Sequence, residues 1–139
     1  MKSLKVIDNY IHEIKQVEPV DITDELLKHM PKLRGVYMFL NINTGLVDYV
    51  GVSNHLKGGL KHRLHTQHLT PSYRQSSFRI KLVKEFGLDE RKESVDHIKT
   101  NYKLIYLARP EAKSIILAVE QVLICEHKSK YNAETKHNF

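Results

Sequence analysis

Two runs of strand-forming residues, Gly35-Val36-Tyr37-Met38-Phe39-Leu40 and Leu46-Val47-Asp48-Tyr49-Val50-Gly51, flank the turn-like Asn43-Thr44-Gly45. This arrangement predicts a β-hairpin. A lone hairpin is marginal in water, so the rest of the chain has to supply another strand and the helices that cover its apolar face. The flanking patterns do so. Leu4, Ile7, Ile11 and Ile14 recur at helical spacing before Pro19. Asp21 to Met30 predicts a short second helix ended by Pro31; Thr23 makes only half a capping box, because Leu26 rather than an acid stands three residues on. After Lys57-Gly58-Gly59, Leu60 to His68 has a helical period, and Ser76 to Phe86 predicts a helix capped near Ser76 and stopped at Gly87. Lys103 to Ala108 is the third strand, and Ala112 to Lys128 a long apolar helix. The expectation is an α+β protein with a small three-stranded antiparallel sheet flanked by helices. Residues 1–30 form an N-terminal helical extension in this reading, and residues 31–139 one globular unit.

Charge says what such a fold would meet. The net formal charge is +6, yet residues 1–51 carry six basic and seven acidic side chains and residues 85–139 carry nine of each. The excess lies wholly between Val52 and Lys84, which hold Lys57, Lys61, Arg63, Arg74, Arg79, Lys81, Lys84, four histidines and no carboxylate. A basic block inside an otherwise neutral domain fits a polyanion, nucleic acid first, or a solvated face that serves solubility. The single Cys125 excludes an intramolecular disulfide and suits a reducing compartment. No apolar run approaches the roughly 18 residues of a membrane span, and Met1-Lys2-Ser3-Leu4-Lys5 lacks a signal-peptide apolar region. A cytoplasmic protein with no membrane partner is expected.

Polar residues fall where a core should be. Glu120 has Ile116, Leu117, Leu123 and Ile124 three and four residues away, so its carboxylate must neutralise, join a buried ion pair or bind a cation. Leu60, Arg63, Leu64 and Gln67 share one helical face, where Arg63 is either a snorkelling side chain or a functional one. His62, His65 and His68 are spaced three apart, which splays their imidazoles round a helix, and no Cys or carboxylate follows at ligand spacing, against structural zinc. Tyr37 and Tyr49 by themselves read as core tyrosines with satisfied hydroxyls.

Taken in order, however, these elements resemble the GIY-YIG nuclease family. They are Gly35-Val36-Tyr37, then Tyr49-Val50-Gly51, then Arg63 on the following helix, Glu120-Gln121-Val122-Leu123-Ile124 on a later apolar helix, and Lys130-Tyr131-Asn132. Met30-Pro31-Lys32-Leu33-Arg34 resembles the family's lead-in to the first motif, and Ser76-Ser77-Phe78-Arg79 a helix opening found in several branches. The resemblance spans about residues 31–132. It implies a Mg²⁺- or Mn²⁺-dependent endonuclease, with one ion per active site, that cuts DNA, double-stranded rather than single-stranded, into 5′-phosphate and 3′-hydroxyl ends. In that analogy Tyr37 is the general base or orients the attacking water, Tyr49 supports it or contacts the phosphate, Arg63 stabilises the phosphorane, Glu120 is the metal ligand, and Asn132 ties the chain end to the site. Arg63 and the metal are expected to favour the Tyr37 phenolate. Lys57, Lys61, His68, Arg74, Arg79, Lys81 and Lys84 then line the path of the DNA backbone. Residues 1–30 are a candidate homodimer contact that would let one site per chain cut both strands.

The sequence also departs from the family. Arg63 comes fourteen positions after Tyr49, Val52 stands where some members have Lys, and Gln67 takes the place, one turn after the arginine, of a family His or Tyr. His68 is adjacent but about 100° further round an α-helix. Either His68 fills that role by local distortion, or the activity is weak and the chain is a nucleic-acid-binding module that keeps the fold.

Overall fold

The computed structural model describes residues 2–54, 57–71 and 76–132. Ten elements follow in order: α1 (Lys2–Ile14), β1 (Val20–Asp21), α2 (Asp24–Lys28), β2 (Gly35–Asn41), β3 (Val47–Ser53), α3 (Gly59–Lys61), α4 (Ser77–Phe86), α5 (Lys92–Asn101), β4 (Tyr102–Ala108) and α6 (Lys113–His127). A π-helical segment, His62–His68, continues directly from α3. The sheet is antiparallel throughout, in the order β1-β4-β2-β3.

It thus has four strands, not three. The extra one, β1, is two residues long and pairs Val20 with Leu104 and Asp21 with Lys103, too short to leave a period in the sequence. It takes the first residues of the expected second helix, which starts only at Asp24 after Thr23, whose hydroxyl accepts the Leu26 N–H at 3.1 Å. Helix α5 was not expected either, because its charged sequence buries only Ser94, Val95 and Ile98.

Alternation along the strands divides the core in two. Tyr37, Phe39, Tyr49, Tyr102 and Leu104 face α2, the π segment, α4 and α5, whereas Val36, Met38, Val50 and Ile105 face α1 and α6. A register shift between Phe39 and Leu40 opposes Leu40 to Val47 and leaves Asp48 as the extra residue. This bulge keeps Val47 with Val50 on one face while Tyr49 points to the other. Asp48 is buried and accepts hydrogen bonds from Tyr102 Oη at 2.7 Å and Asn41 Nδ2 at 3.1 Å.

The N-terminal segment takes part in both cores. Tyr10 and Ile14 are buried with the α6 face, and Ile22, Leu27 and Met30 with the opposite one. Tyr10 Oη donates to Leu107 O at 2.6 Å and accepts the Val36 N–H at 3.1 Å, stitching α1 to the start of β2. Ile7, Ile11 and Ile14 of the N-terminal stripe pack on the chain's own core, while Leu4 stays exposed. Among the described residues no helix is long and apolar enough to cross a membrane.

Candidate active site

Tyr37 and Tyr49 sit on the same face of neighbouring strands, with Gly51 directly opposite Tyr37. A Cβ at Gly51 would lie 2.4 Å from the Tyr37 phenol carbon and oxygen, so the phenol rests where only glycine leaves room. Gly59 meets a second demand of this kind: its φ is +52° and a Cβ there would strike the Leu33 backbone at 2.3 Å. This contact holds the start of α3 against the loop before β2, as do the bonds from Leu60 N to Leu33 O and from Lys61 N to Pro31 O. The helix bearing Arg63 is thereby fixed to the strand bearing Tyr37.

The Tyr37 hydroxyl is fully buried and has two partners of opposite character. Arg63 Nε donates to it at 3.2 Å, and His68 Nε2 lies 2.6 Å away. Both reach it because the helix is π here, with Leu69 N bonded to Leu64 O five residues back. In an α-helix, residues five apart point about 140° from each other. The i→i+5 turn brings them onto one face, and π segments of this kind recur at functional sites. His68 therefore enters the site by local distortion of the helix.

His68 is 0% exposed and is no surface contact for DNA, contrary to the expectation from sequence. Burial first, then the charges of Arg63 and Arg79, hold its pKa well below the ordinary 6.5, so the ring is neutral. Its Nδ1 lies 2.5 Å from Ser76 Oγ. The attraction of Arg63 by itself does not produce the expected Tyr37 phenolate. Burial and the neighbouring Tyr49 raise the Tyr37 pKa, and the opposing effect of Arg63 does not compensate. Tyr37 is a protonated phenol that accepts from a guanidinium and faces a neutral imidazole. Arg63 is half-buried; burial pulls its pKa down, but Tyr37 and Tyr49, both hydrogen-bonded to it, raise it on balance. It stays charged.

Tyr49 stacks on Phe78 with ring centroids 5.0 Å apart, and its hydroxyl lies 3.2 Å from Ser77 Oγ. Glu120, half-buried on α6, is close enough for its charge to raise the Tyr37 pKa. Among the described residues no group of three His, Cys, Asp or Glu side chains is assembled to cage a metal, and the His62, His65, His68 run makes none. A single half-buried glutamate can serve a hard cation that takes its other ligands from water and phosphate, as Mg²⁺ does. Asn132 braces the second motif from outside the sheet. Its Nδ2 donates to Val50 O at 2.8 Å and its Oδ1 accepts the Val50 N–H at 3.0 Å, pairing the outer edge of β3. Tyr131 N extends the same edge by bonding Asp48 O at 2.9 Å.

The basic block divides. Lys57 and Lys84 are exposed and Lys61 is half-buried. Lys81 Nζ donates to Tyr131 O at 2.6 Å, and so helps hold the segment that follows α6. Arg79 is 2% exposed, and its guanidinium bonds Thr70 O at 2.9 Å, Glu90 O at 2.8 Å and Ser94 Oγ at 3.0 Å. It is an internal clamp, not a phosphate contact, because each of its three guanidinium nitrogens is turned to a protein oxygen inside the fold. Arg74 lies outside the described residues. Sequence reasoning took Ser76 only as a helix cap; that it also touches His68 had no local signal.

A small antiparallel sheet flanked by helices is the architecture of the GIY-YIG endonuclease domain, and the chain has that fold. It is similar to solved structures of the N-terminal endonuclease domain of UvrC from Thermotoga maritima. One, a point mutant bound to the catalytic divalent cation, is 20% identical, with a TM-score of 0.51 over 81% of this chain and 99% of that one. A second point mutant gives 21% and 0.51 over the same shares. The magnesium-bound form gives 22% and 0.50 over 81% of this chain and 100% of that one. No protein-family model and no curated protein matches.

Proposed function

We propose that the chain is a divalent-cation-dependent endonuclease that hydrolyses phosphodiester bonds of double-stranded DNA, leaving 5′-phosphate and 3′-hydroxyl ends. The observation that carries this reading is the Tyr37 hydroxyl held between a charged donor, Arg63, and a neutral acceptor, His68. Water attacks phosphorus and gives a proton to the Tyr37 oxygen as the phenol passes its own proton to His68 Nε2. The P–O3′ bond breaks, its electron pair goes to O3′, and O3′ is protonated from solvent. Arg63 holds a non-bridging oxygen. An imidazolium between Arg63 and Arg79 is disfavoured in the free protein, but a phosphate paired with Arg63 offsets that field, so proton transfer is tied to bound substrate. Glu120 would hold the cation, which supplies Lewis-acid stabilisation of the leaving oxygen. Asn132 keeps the strand of Tyr49 and Gly51 in place.

Full burial of the Tyr37 hydroxyl favours a second reading, a DNA-binding module without turnover. Supercoiled plasmid incubated with Mg²⁺ or Mn²⁺ separates the two. Nicking by the wild type, lost in Tyr37→Phe and Glu120→Gln and giving ends that ligase reseals, supports hydrolysis. Salt-sensitive binding with no nicking in either metal supports the module.

A further inference from the structure

We infer that Ser76 is a positioning residue that sets the tautomer of His68, keeping the proton on Nδ1 so that Nε2 is free to accept from Tyr37. The inference rests on the proposed hydrolytic site for its purpose, though not for its test.

The geometry offers two consistent proton arrangements. In one, Tyr37 donates to His68 Nε2 and His68 Nδ1–H donates to Ser76 Oγ. In the other, Ser76 donates to Nδ1 and Nε2–H points at Tyr37. Arginine is a donor only, so in the second arrangement the phenol oxygen faces two donors, from Arg63 and His68, while its own proton has no other acceptor among the described residues at a fully buried site. A phenol is the stronger acid of the two hydroxyls and the better donor, so the imidazole lone pair falls to it. Ser76 Oγ is already an acceptor, because it caps α4 by taking the Arg79 N–H at 3.3 Å. A second donor from Nδ1 suits its remaining lone pair.

The separation of Ser76 and His68 is itself clamped. Ser76 is buried and sits three residues before Arg79, and the Arg79 guanidinium bonds Thr70 O, two residues beyond His68. The same arginine reaches Glu90 O and Ser94 Oγ, so the exit of the π segment, the start of α4 and the start of α5 are held by one side chain. Ser76 therefore meets the ring from a fixed position and fixes which nitrogen carries the proton.

The test is ¹⁵N-histidine NMR on the full chain, correlating ring nitrogens with ring carbon-bound protons and assigning His68 with His68→Gln. Wild type is expected to show Nδ1 protonated and Nε2 bare. Ser76→Gly is a mild change at a helix cap, and is expected to move His68 to the Nε2–H form or a mixture, with kcat for nicking at least tenfold lower and KM little changed. Ser76→Thr should restore both signals. An Nε2–H ring in the wild type, or an unchanged ring in folded Ser76→Gly, would overturn the inference, and the wild-type spectrum decides even if the glycine variant does not fold. Absence of nicking with an Nδ1–H ring in the wild type would instead count against the hydrolytic reading alone.

Discussion

Asn132 shows how far a single side chain can act from the chemistry it supports. Its amide matches the outward N–H and C=O of Val50, groups that edge strand β3 would otherwise leave to solvent or to another chain. Asn132→Asp keeps the shape but turns a lone pair toward Val50 O. It is expected to destabilise the fold by about 1–3 kcal/mol, read as a lower urea midpoint at an unchanged slope. His68 makes a second prediction. Because its folded pKa is depressed, the unfolded chain takes up the proton first as pH falls. The stability that neutral His68 contributes is complete above about pH 6.5 and is lost below it toward the folded value. In His68→Gln the decline of stability between neutral and mildly acidic pH should be shallower, as measured by urea titrations at several pH values. Tyr37, Tyr49, Arg63 and Glu120 were legible in the sequence as an ordered set, whereas the protonation of Tyr37 was not. Sequence gave the attraction of Arg63 but not the depth of burial, and burial is the larger effect.

Among the elements, the π segment was the least predictable and the most consequential. An α-helical wheel puts Gln67 on the Arg63 face and His68 beyond it, and only one residue of extra backbone reverses this. Such an insertion leaves no mark in hydrophobic spacing, because Leu60 precedes the segment, Leu64 falls in its first turn, and both are buried. It predicts that deletion of Thr66, an exposed residue within the segment, returns the turn to α-helix with the histidine four residues after Arg63. The variant should fold, keep the histidine against Tyr37 and retain nicking within about tenfold. Unfolding, or loss of the His–Tyr contact by NMR, would show that the wider turn has another purpose. The hairpin, the third strand and the helices from Ser76 and Ala112 were readable from turn residues, caps and periodicity. β1 and α5 were not, since one is a bridge of two residues and the other is polar along most of its length.

At the scale of the whole molecule, the acid-free block from Val52 to Lys84 supplies all the net charge, but the fold assigns its members different work. Arg79 holds three segments together, Arg63 faces Tyr37, Lys81 ties down the segment after α6, and Lys57 and Lys84 are left on the surface. Net charge therefore overstates the basic surface left free to meet a polyanion. If Lys84 touches a phosphate, Lys84→Ala lowers the slope of log affinity against log salt by about 0.9 with the melting temperature unchanged. Arg79→Met should instead unfold the protein at lower denaturant, by about 3–5 kcal/mol, since it strips partners from buried oxygens. The central claim concerns the three side chains around one hydroxyl. Its most direct test is single-turnover cleavage of a labelled duplex in Mg²⁺ by wild type, Tyr37→Phe and His68→Gln, with folding of each checked by circular dichroism. Cleavage by the wild type that falls about 10²–10⁴-fold in His68→Gln, and at least as far in Tyr37→Phe, is the result predicted here. Equal rates in all three folded proteins would contradict it.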